Sequence, residues 1–312
     1  MTIAEKILQR INRPELLRIL ADELTPSELN TVLLEVFDRQ TARLSAPELL
    51  KQYQKNRFVK PADLAVMALR GLETRLLQIF ETFRFQPIEL SPVAPLGSCS
   101  VVATADQKKI LSALRGTEVL ADATNALALH VADLKKNGRW QPVSPTDQLR
   151  FSTIHRHVRT PEVTIPGHSQ HFKIACLISS GRDTGSFQFE RESLAEHLAV
   201  MTAILRDSLQ ISTLRFRLIR RSEDEDGRLL EQVSNHIRQL RPDLVLETDR
   251  TPSHENRYYK GLQYKVLLTV RGQEIEIGDG GFVDWTQQLL ENKKERFLIT
   301  GLGIEFLARL QP

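Results

Sequence analysis

The run Phe172 to Ser180 (FKIACLISS) is almost unbroken apolar, and a stretch of that length has to lie with both faces covered, as a central strand does. Around it, Leu214 to Ile219 (LRFRLI), Tyr264 to Val270 and Gln273 to Ile277 (QEIEI) alternate in polarity, the signature of strands with one wetter face. Arg271-Gly272 between the last two is a tight-turn signal and predicts an antiparallel hairpin. Val101-Val102-Ala103 reads as a further short strand. Helical spacing covers Phe189 to Leu209 and Leu229 to Leu240, and Gly301 to Leu310 reads as a glycine-led apolar helix. Strands joined mainly as hairpins, with helices inserted at intervals, predict a mixed α/β (α+β) domain on an antiparallel sheet, not a doubly wound parallel one.

The first sixty residues are patterned differently. Three starts resemble one another: Asn12-Arg13-Pro14-Glu15-Leu16-Leu17, Thr25-Pro26-Ser27-Glu28-Leu29 and Ser45-Ala46-Pro47-Glu48-Leu49-Leu50. In the second and third, the hydroxyl accepts from the N–H three residues on and the Glu there reaches back, a capping box. Residues 1–60 therefore read as a helical bundle, closing on the polar, basic connector Lys51 to Lys60. Residues 61–312 read as the core domain, with Pro61 opening a long helix through Leu64, Met67, Leu72, Leu76, Ile79 and Phe80.

Composition narrows the function classes. No apolar run reaches the roughly 20 residues of a membrane span, and Glu5 and Lys6 stand where a secretory signal would be apolar. Cys99 and Cys176 are the only cysteines, too few for a disulfide framework or a cysteine zinc site, so a reducing cytoplasm is expected. A net charge of +3 from 42 basic and 39 acidic residues excludes a strongly cationic nucleic-acid binder, though not a local basic groove.

Several polar clusters invite chemistry. Arg156-His157-Val158-Arg159, beside a loop with Pro161, Pro166 and Gly167, suits a phosphate or carboxylate, or is solvated charge on a hairpin. In Asp122-Ala123-Thr124-Asn125, a carboxylate and hydroxyl two apart either face a ligand ammonium from a strand or cap the following helix. His155, His157, His168 and His171 crowd together, but the strand–loop–strand pattern offers no i, i+4 pair for a metal. Cys99 has no identifiable base partner for nucleophilic work. Tyr258-Tyr259-Lys260-Gly261 and Asp279-Gly280-Gly281-Phe282-Val283-Asp284 bracket the hairpin and suit packing, a turn or bulge, or close approach of a ligand. No Walker-type loop and no GxGxxG follows a strand.

The order of these clusters resembles the catalytic core of class II aminoacyl-tRNA synthetases, nearest the branch of histidyl-tRNA synthetase and the ATP phosphoribosyltransferase regulatory subunit. Leu90-Ser91-Pro92-Val93-Ala94-Pro95 is similar to the dimer-forming first motif, which implies a homodimer through this region. Asp122-Ala123-Thr124 stands where the family holds the substrate's amino group. Arg156 to Arg159, the loop and His171-Phe172-Lys173 resemble the second motif, whose arginine grips the ATP α-phosphate and the acyl group. Tyr258 to Gly261 resembles the family's Tyr-Tyr-Thr-Gly, Gly280 to Asp284 its Gly-Gly-Arg-Tyr-Asp, and Gly301-Leu302-Gly303-Ile304-Glu305 the third motif's glycine-led helix. The resemblance implies ligand-binding roles for Asp122, Thr124, Arg156, Arg159, His171, Lys173, Tyr258, Tyr259, Gly280 and Gly281, with no catalytic residue and no metal site assigned.

Departures from the pattern shape the functional expectation. Phe306 stands where the third motif has an adenine-stacking arginine, and Arg309 lies about one helical turn on. Val158 replaces the second motif's carboxylate, His254 aligns near a catalytic arginine, and Arg257 replaces an acidic residue. Each lost cation costs several kcal/mol of barrier in phosphoryl chemistry. No anticodon-binding segment is recognisable after the third motif, so tRNA charging is not expected. The expectation is a catalytically degenerate synthetase paralogue that binds an amino-acid-like or nucleotide-like small molecule and serves as a regulatory or interaction subunit, residues 1–60 docking a protein partner. The alternative is an ATP-dependent ligase that activates an amino or carboxylic acid for a carrier other than tRNA, with Arg159, Lys173 or Arg182 replacing the missing cation. The cofactor is left open, ATP with Mg2+ being the one the resemblance implies.

Overall fold

The computed structural model describes residues 1–161, 169–254 and 258–310, so Pro166, Gly167, His168 and Arg257 lie outside the described residues. The chain opens with helices α1 (Ile3–Arg10), α2 (Leu16–Arg18, continuing through Ile19–Glu23), α3 (Pro26–Thr41) and α4 (Ala46–Lys55). Both anticipated capping boxes form, Thr25 with Glu28 and Ser45 with Glu48, and Thr2 with Glu5 makes a third. None of these helices buries a residue: Ile3, Ile7, Phe37, Leu49 and Leu50 stay exposed.

Helix α5 (Val66–Thr82) starts five residues later than Pro61 predicts. Backbone in the preceding segment is engaged elsewhere: the Lys60 carbonyl meets His171 Nε2 at 2.6 Å, and the Asp63 carbonyl accepts from Arg309 at 3.4 Å. There follow β1 (Gln86–Pro87), β2 (Val93–Pro95), β3 (Ser112–Ala113), β4 (Thr117–Val119), α6 (Ala123–Lys136), β5 (Leu149–Val158), β6 (His171–Arg182), α7 (Gln188–Thr202, running on through Ala203–Ser208), β7 (Arg215–Arg221) and α8 (Arg228–Leu240). The chain continues with β8 (Leu246–Ser253), β9 (Leu262–Val270), β10 (Gln273–Val283), α9 (Trp285–Leu290), β11 (Glu295–Gly303) and α10 (Ile304–Leu310). Two boundaries differ from those the residue pattern predicts. Val101-Val102 belong to a helical turn, Ser98–Val102, entered from Gly97 at φ 97°, and the terminal helix starts at Ile304 because Gly301 to Gly303 still pair in β11.

Eight strands form one sheet in the order β1-β5-β6-β11-β10-β9-β7-β8, antiparallel at every pairing except the two outermost. The FKIACLISS segment lies near its middle, in β6 between β5 and β11. The β9–β10 hairpin turns at Arg271-Gly272 as expected, with positive φ at both residues (51° and 78°), the twist a two-residue loop requires. A second, three-stranded sheet (β2-β4-β3) stands apart.

Helices cover both faces of the large sheet. One face packs the main core, Leu72, Leu76 and Phe80 of α5, Leu198 of α7, Val233 and Ile237 of α8 and Leu307 of α10, against Leu177, Phe216, Leu218, Val266 and Leu298. The other packs Leu127, Ala128 and Val131 of α6 and Trp285 of α9 against Phe151, Ile178, Phe297 and Ile299. That second face carries the cavity described next. Among the described residues, no helix is long and apolar enough to cross a membrane.

Candidate functional site

Strand alternation decides which side chains can share a cavity, because residues two apart face one way. His157 and Arg159 at the end of β5, Ile174 and Cys176 on β6, Ile299 and Gly301 on β11 and Asp279 on β10 have compatible parity in the observed registers. They line a cavity of about 430 Å3, bordered also by Cys99, Ala103, Ala105, Lys109 and Ile110 and by Asp122, Thr124, Asn125, Tyr258 and Tyr259. Glu118 of β4, itself buried, holds the segment around Cys99: it accepts from the Gly97 and Cys99 N–H groups at 2.9 and 3.0 Å and from the Gln107 amide at 3.0 Å. A second hollow of about 300 Å3 adjoins it, lined by Phe172, Lys173, Ile277, Gly303, Glu305, Phe306 and Arg309 among others. Arg159, Ile174, Asp279 and Gly301 border both spaces.

Of the two readings of the Asp122 segment, the helix cap forms and the strand does not. Asp122 is the N-cap of α6, accepting from Thr124 N–H at 2.9 Å and the Thr124 hydroxyl at 2.6 Å, and it also faces the cavity. Its other oxygen accepts from the Tyr258 hydroxyl. Tyr259 donates to Asp279 Oδ2 at 2.8 Å. Burial first, and then the adjacent carboxylates, push both tyrosine pKa values well above the ordinary range, so both phenols stay protonated donors. Burial likewise raises the Asp279 carboxyl. Tyr258 meets Tyr259 and Trp285 edge-on at 4.9 and 5.2 Å between centroids, which fixes both phenol directions.

His157 is buried and accepts the Ala123 N–H at Nε2, 2.8 Å away. That bond requires an unprotonated Nε2, consistent with burial lowering its pKa to about 4. Cys99 is no nucleophile here: burial, with Asp122 and Glu118 nearby, pushes its thiol up to about 12. Cys176 is raised by burial too.

Of the expected ligand residues, Asp122, Thr124, Arg159, Tyr258 and Tyr259 come together on the larger cavity. Lys173 borders the second hollow, but its ammonium group pairs with Glu73 of α5 at 2.6 Å. Arg156 and His171 border neither space. Arg156 sits directly across from Lys173, on the face opposite the cavity, where it pairs with Glu305 at 2.9 Å and His171 Nδ1 at 2.8 Å. Gly280 and Gly281 border neither space either and act through packing. A Cβ on Gly280 would lie 2.4 Å from the Ile299 carbonyl and 2.5 Å from the Tyr264 ring, and one on Gly281 2.6 Å from the Tyr259 ring. His254, aligned with a catalytic arginine, is exposed and borders neither space. Sequence reasoning missed Asp279, Asn125, His157 and Lys109 as cavity residues.

The residues around the second hollow fit phosphate oxygens only in part: Arg159 and Arg309 border it. Asp279 and Glu305 place carboxylates on it, Lys173 is committed to Glu73, and among the described residues no group of three or more His, Cys, Asp or Glu side chains converges as a metal site. Phe306 borders this hollow at the third-motif position, and Arg309 borders it too.

This arrangement of sheet, helices and cavity is the class II aminoacyl-tRNA synthetase catalytic-core fold. The chain superposes on S. aureus histidyl-tRNA synthetase with a TM-score of 0.61 at 14% identity, over 82% of this chain and 70% of that one. It superposes on an ATP phosphoribosyltransferase regulatory subunit/histidyl-tRNA synthetase from Bacillus halodurans C with a TM-score of 0.58 at 12% identity, over 81% and 82%. A histidine–tRNA ligase subunit from Alicyclobacillus acidocaldarius gives 0.57 at 13%, over 81% and 96%. No protein-family model and no curated protein sequence matches the chain. At these identities the likeness defines the fold.

Proposed function

We propose that this protein is a catalytically degenerate relative of the class II synthetases that binds an amino-acid-like ligand and acts as a regulatory or interaction subunit in the cytoplasm. The observation that carries the reading is the gathering of Asp122, Thr124, Tyr258, Tyr259 and Arg159 on one cavity, beside a hollow with Phe306 at the third-motif position. Carboxylate and phenol groups suit an ammonium, and a guanidinium suits a carboxylate. The regulatory role accords with the Bacillus halodurans neighbour, whose name describes a regulatory subunit. Exposed Val93 within the Leu90–Pro95 segment and Leu96 just after it suit the homodimer contact, and the exposed apolar residues of α1 to α4 suit a protein partner.

Equilibrium binding against the standard amino acids tests the pocket. At least one should bind, and at about a hundred times its Kd it should stabilise the fold by about 2.7 kcal/mol. Asp122→Asn should weaken that ligand at least ~10-fold, because a charge-assisted bond is lost. Asn caps a helix about as well as Asp, so stability should change little. Unchanged affinity would remove the amine-site assignment.

One observation favours the ligase alternative: Arg309 borders the second hollow beside Phe306 and could supply a cation there. Robust ATP–pyrophosphate exchange with any amino acid would decide for it and against the degenerate reading.

We further expect residues 1–60 to be separable from the pocket. A chain starting after Lys60 should bind the same ligand within about twofold, since the cavity's lining begins at Cys99. Loss of binding by a folded truncation would mean that these helices shape the site.

A further inference from the structure

We propose that the ligand of this cavity is an amino acid with a cationic side chain, its α-ammonium held at Asp122 and its side-chain cation at Asp279. The proposal deepens the amino-acid reading above and rests on it. A zwitterionic amino acid brings one positive and one negative group. The cavity offers the Arg159 guanidinium to the negative one and two carboxylates, Asp122 and Asp279, to the positive one. Lys109, the other cation on the lining, is exposed at its edge, where solvent screens it. His157 accepts a backbone N–H and is neutral, so it adds no positive charge.

The two aspartates differ in how far the protein satisfies them. Asp122 accepts from Thr124 on one oxygen and from Tyr258 on the other. Asp279 receives only Tyr259, on Oδ2, and among the described residues its second oxygen has no hydrogen-bond partner. Arg159 is the one cation whose charge acts on it among the described residues, and the partners of Asp279 across the sheet add none. Gly301 on β11 has no side chain, and Lys265 on β9 pairs with Glu276 at 2.8 Å. A half-satisfied carboxylate bordering a cavity is stabilised by a cation brought in with the ligand.

A second observation is independent of the acids. On the same lining, among the described residues, His157 Nδ1 is buried without a hydrogen-bond partner, and the Asn125 carboxamide has the Cys99 thiol beside it. Both residues are more than nine-tenths buried. Native interiors rarely leave such a group unpaired, which marks this wall as polar rather than apolar.

Calorimetry on the full-length protein with lysine, ornithine and arginine, against norleucine and citrulline, tests this. Basic ligands should bind at least ~30-fold tighter than their neutral counterparts, the scale expected for a buried, hydrogen-bonded charge pair. Asp279→Asn should cut that preference to within about threefold, chiefly by weakening the basic ligands, whereas Asp122→Asn should weaken basic and neutral ligands alike. If neutral amino acids bind the wild type as tightly as basic ones, the inference is overturned while the amino-acid pocket stands. It is overturned equally if Asp279→Asn keeps the preference. If no amino acid binds at all, the pocket reading fails and takes the inference with it. The wild-type comparison needs no variant, so a poorly folding Asp279→Asn would not shield the claim.

Discussion

Between pH 7 and pH 5, His197 alone should cost the folded protein about 2 kcal/mol of stability, and His157 a similar amount. His197 is fully buried, with its ring nitrogens 3.0 Å from the Ser179 hydroxyl and 2.5 Å from the Thr300 hydroxyl, which also meets the Tyr264 hydroxyl. Burial lowers its pKa to about 3, with Arg150 adding repulsion. The sign follows from the unfolded chain, where histidine titrates near 6.5. Below that pH the unfolded state takes up a proton that the folded state refuses, so stability falls as pH drops from about 6.5 towards 3. His157, lowered to about 4, works in the same direction. Glu190, Glu196 and Asp279, whose pKa values burial raises, oppose it, because their folded forms take protons first. Comparing wild type with His197→Gln isolates one group. Urea unfolding should show the stability gap between them narrowing by about 2 kcal/mol from pH 7 to pH 5. A constant gap would mean that His197 titrates normally inside the fold.

The second large effect is expected at Glu295. Its carboxylate pairs with Lys135 near the C-terminal end of α6, and both side chains are more than nine-tenths buried. Lys135 also donates to Ser180 at 2.9 Å and lies 5.2 Å over the Trp140 ring, while Arg182 approaches Glu295 at 3.5 Å. Glu295→Ala leaves a buried ammonium whose pKa burial already depresses, and should cost about 3–5 kcal/mol. Pairing it with Lys135→Met should restore most of the loss, because two apolar groups need no partner. Denaturant melts of the two single variants and the double variant measure this, and additive losses would show that the pair is not coupled. The effect reaches the cavity, because Lys135 and Glu295 pin one end of the helix whose other end presents Asp122.

What could be read from the residues alone depended on how local the signal was. Capping boxes at Thr25 and Ser45 and the Arg271-Gly272 turn act within four residues, and each appears where expected. The order of motifs brought Asp122, Thr124, Arg159, Tyr258 and Tyr259 to one place. Choosing between Arg156 and Arg159 needed more, since an odd step along β5 crosses the sheet and only the pairing with β6 shows which residue meets Lys173. Asp279 was hidden for a related reason. Alternation in Gln273 to Ile277 extrapolates to the wrong face, because the pairing with β9 shifts between Glu276 and Gly278. That bulge turns Asp279 into the cavity. A buried atom left unpaired among the described residues, such as His157 Nδ1, leaves no trace in sequence, since its isolation is a property of the packed interior.

The two chambers share a partition made by Arg159, Ile174, Asp279 and Gly301. Whatever occupies one chamber alters the field felt in the other through the same guanidinium and carboxylate. Two occupants would therefore be thermodynamically linked, each changing the other's affinity by an identical factor. A site arranged this way would let one bound molecule set how tightly a second is held.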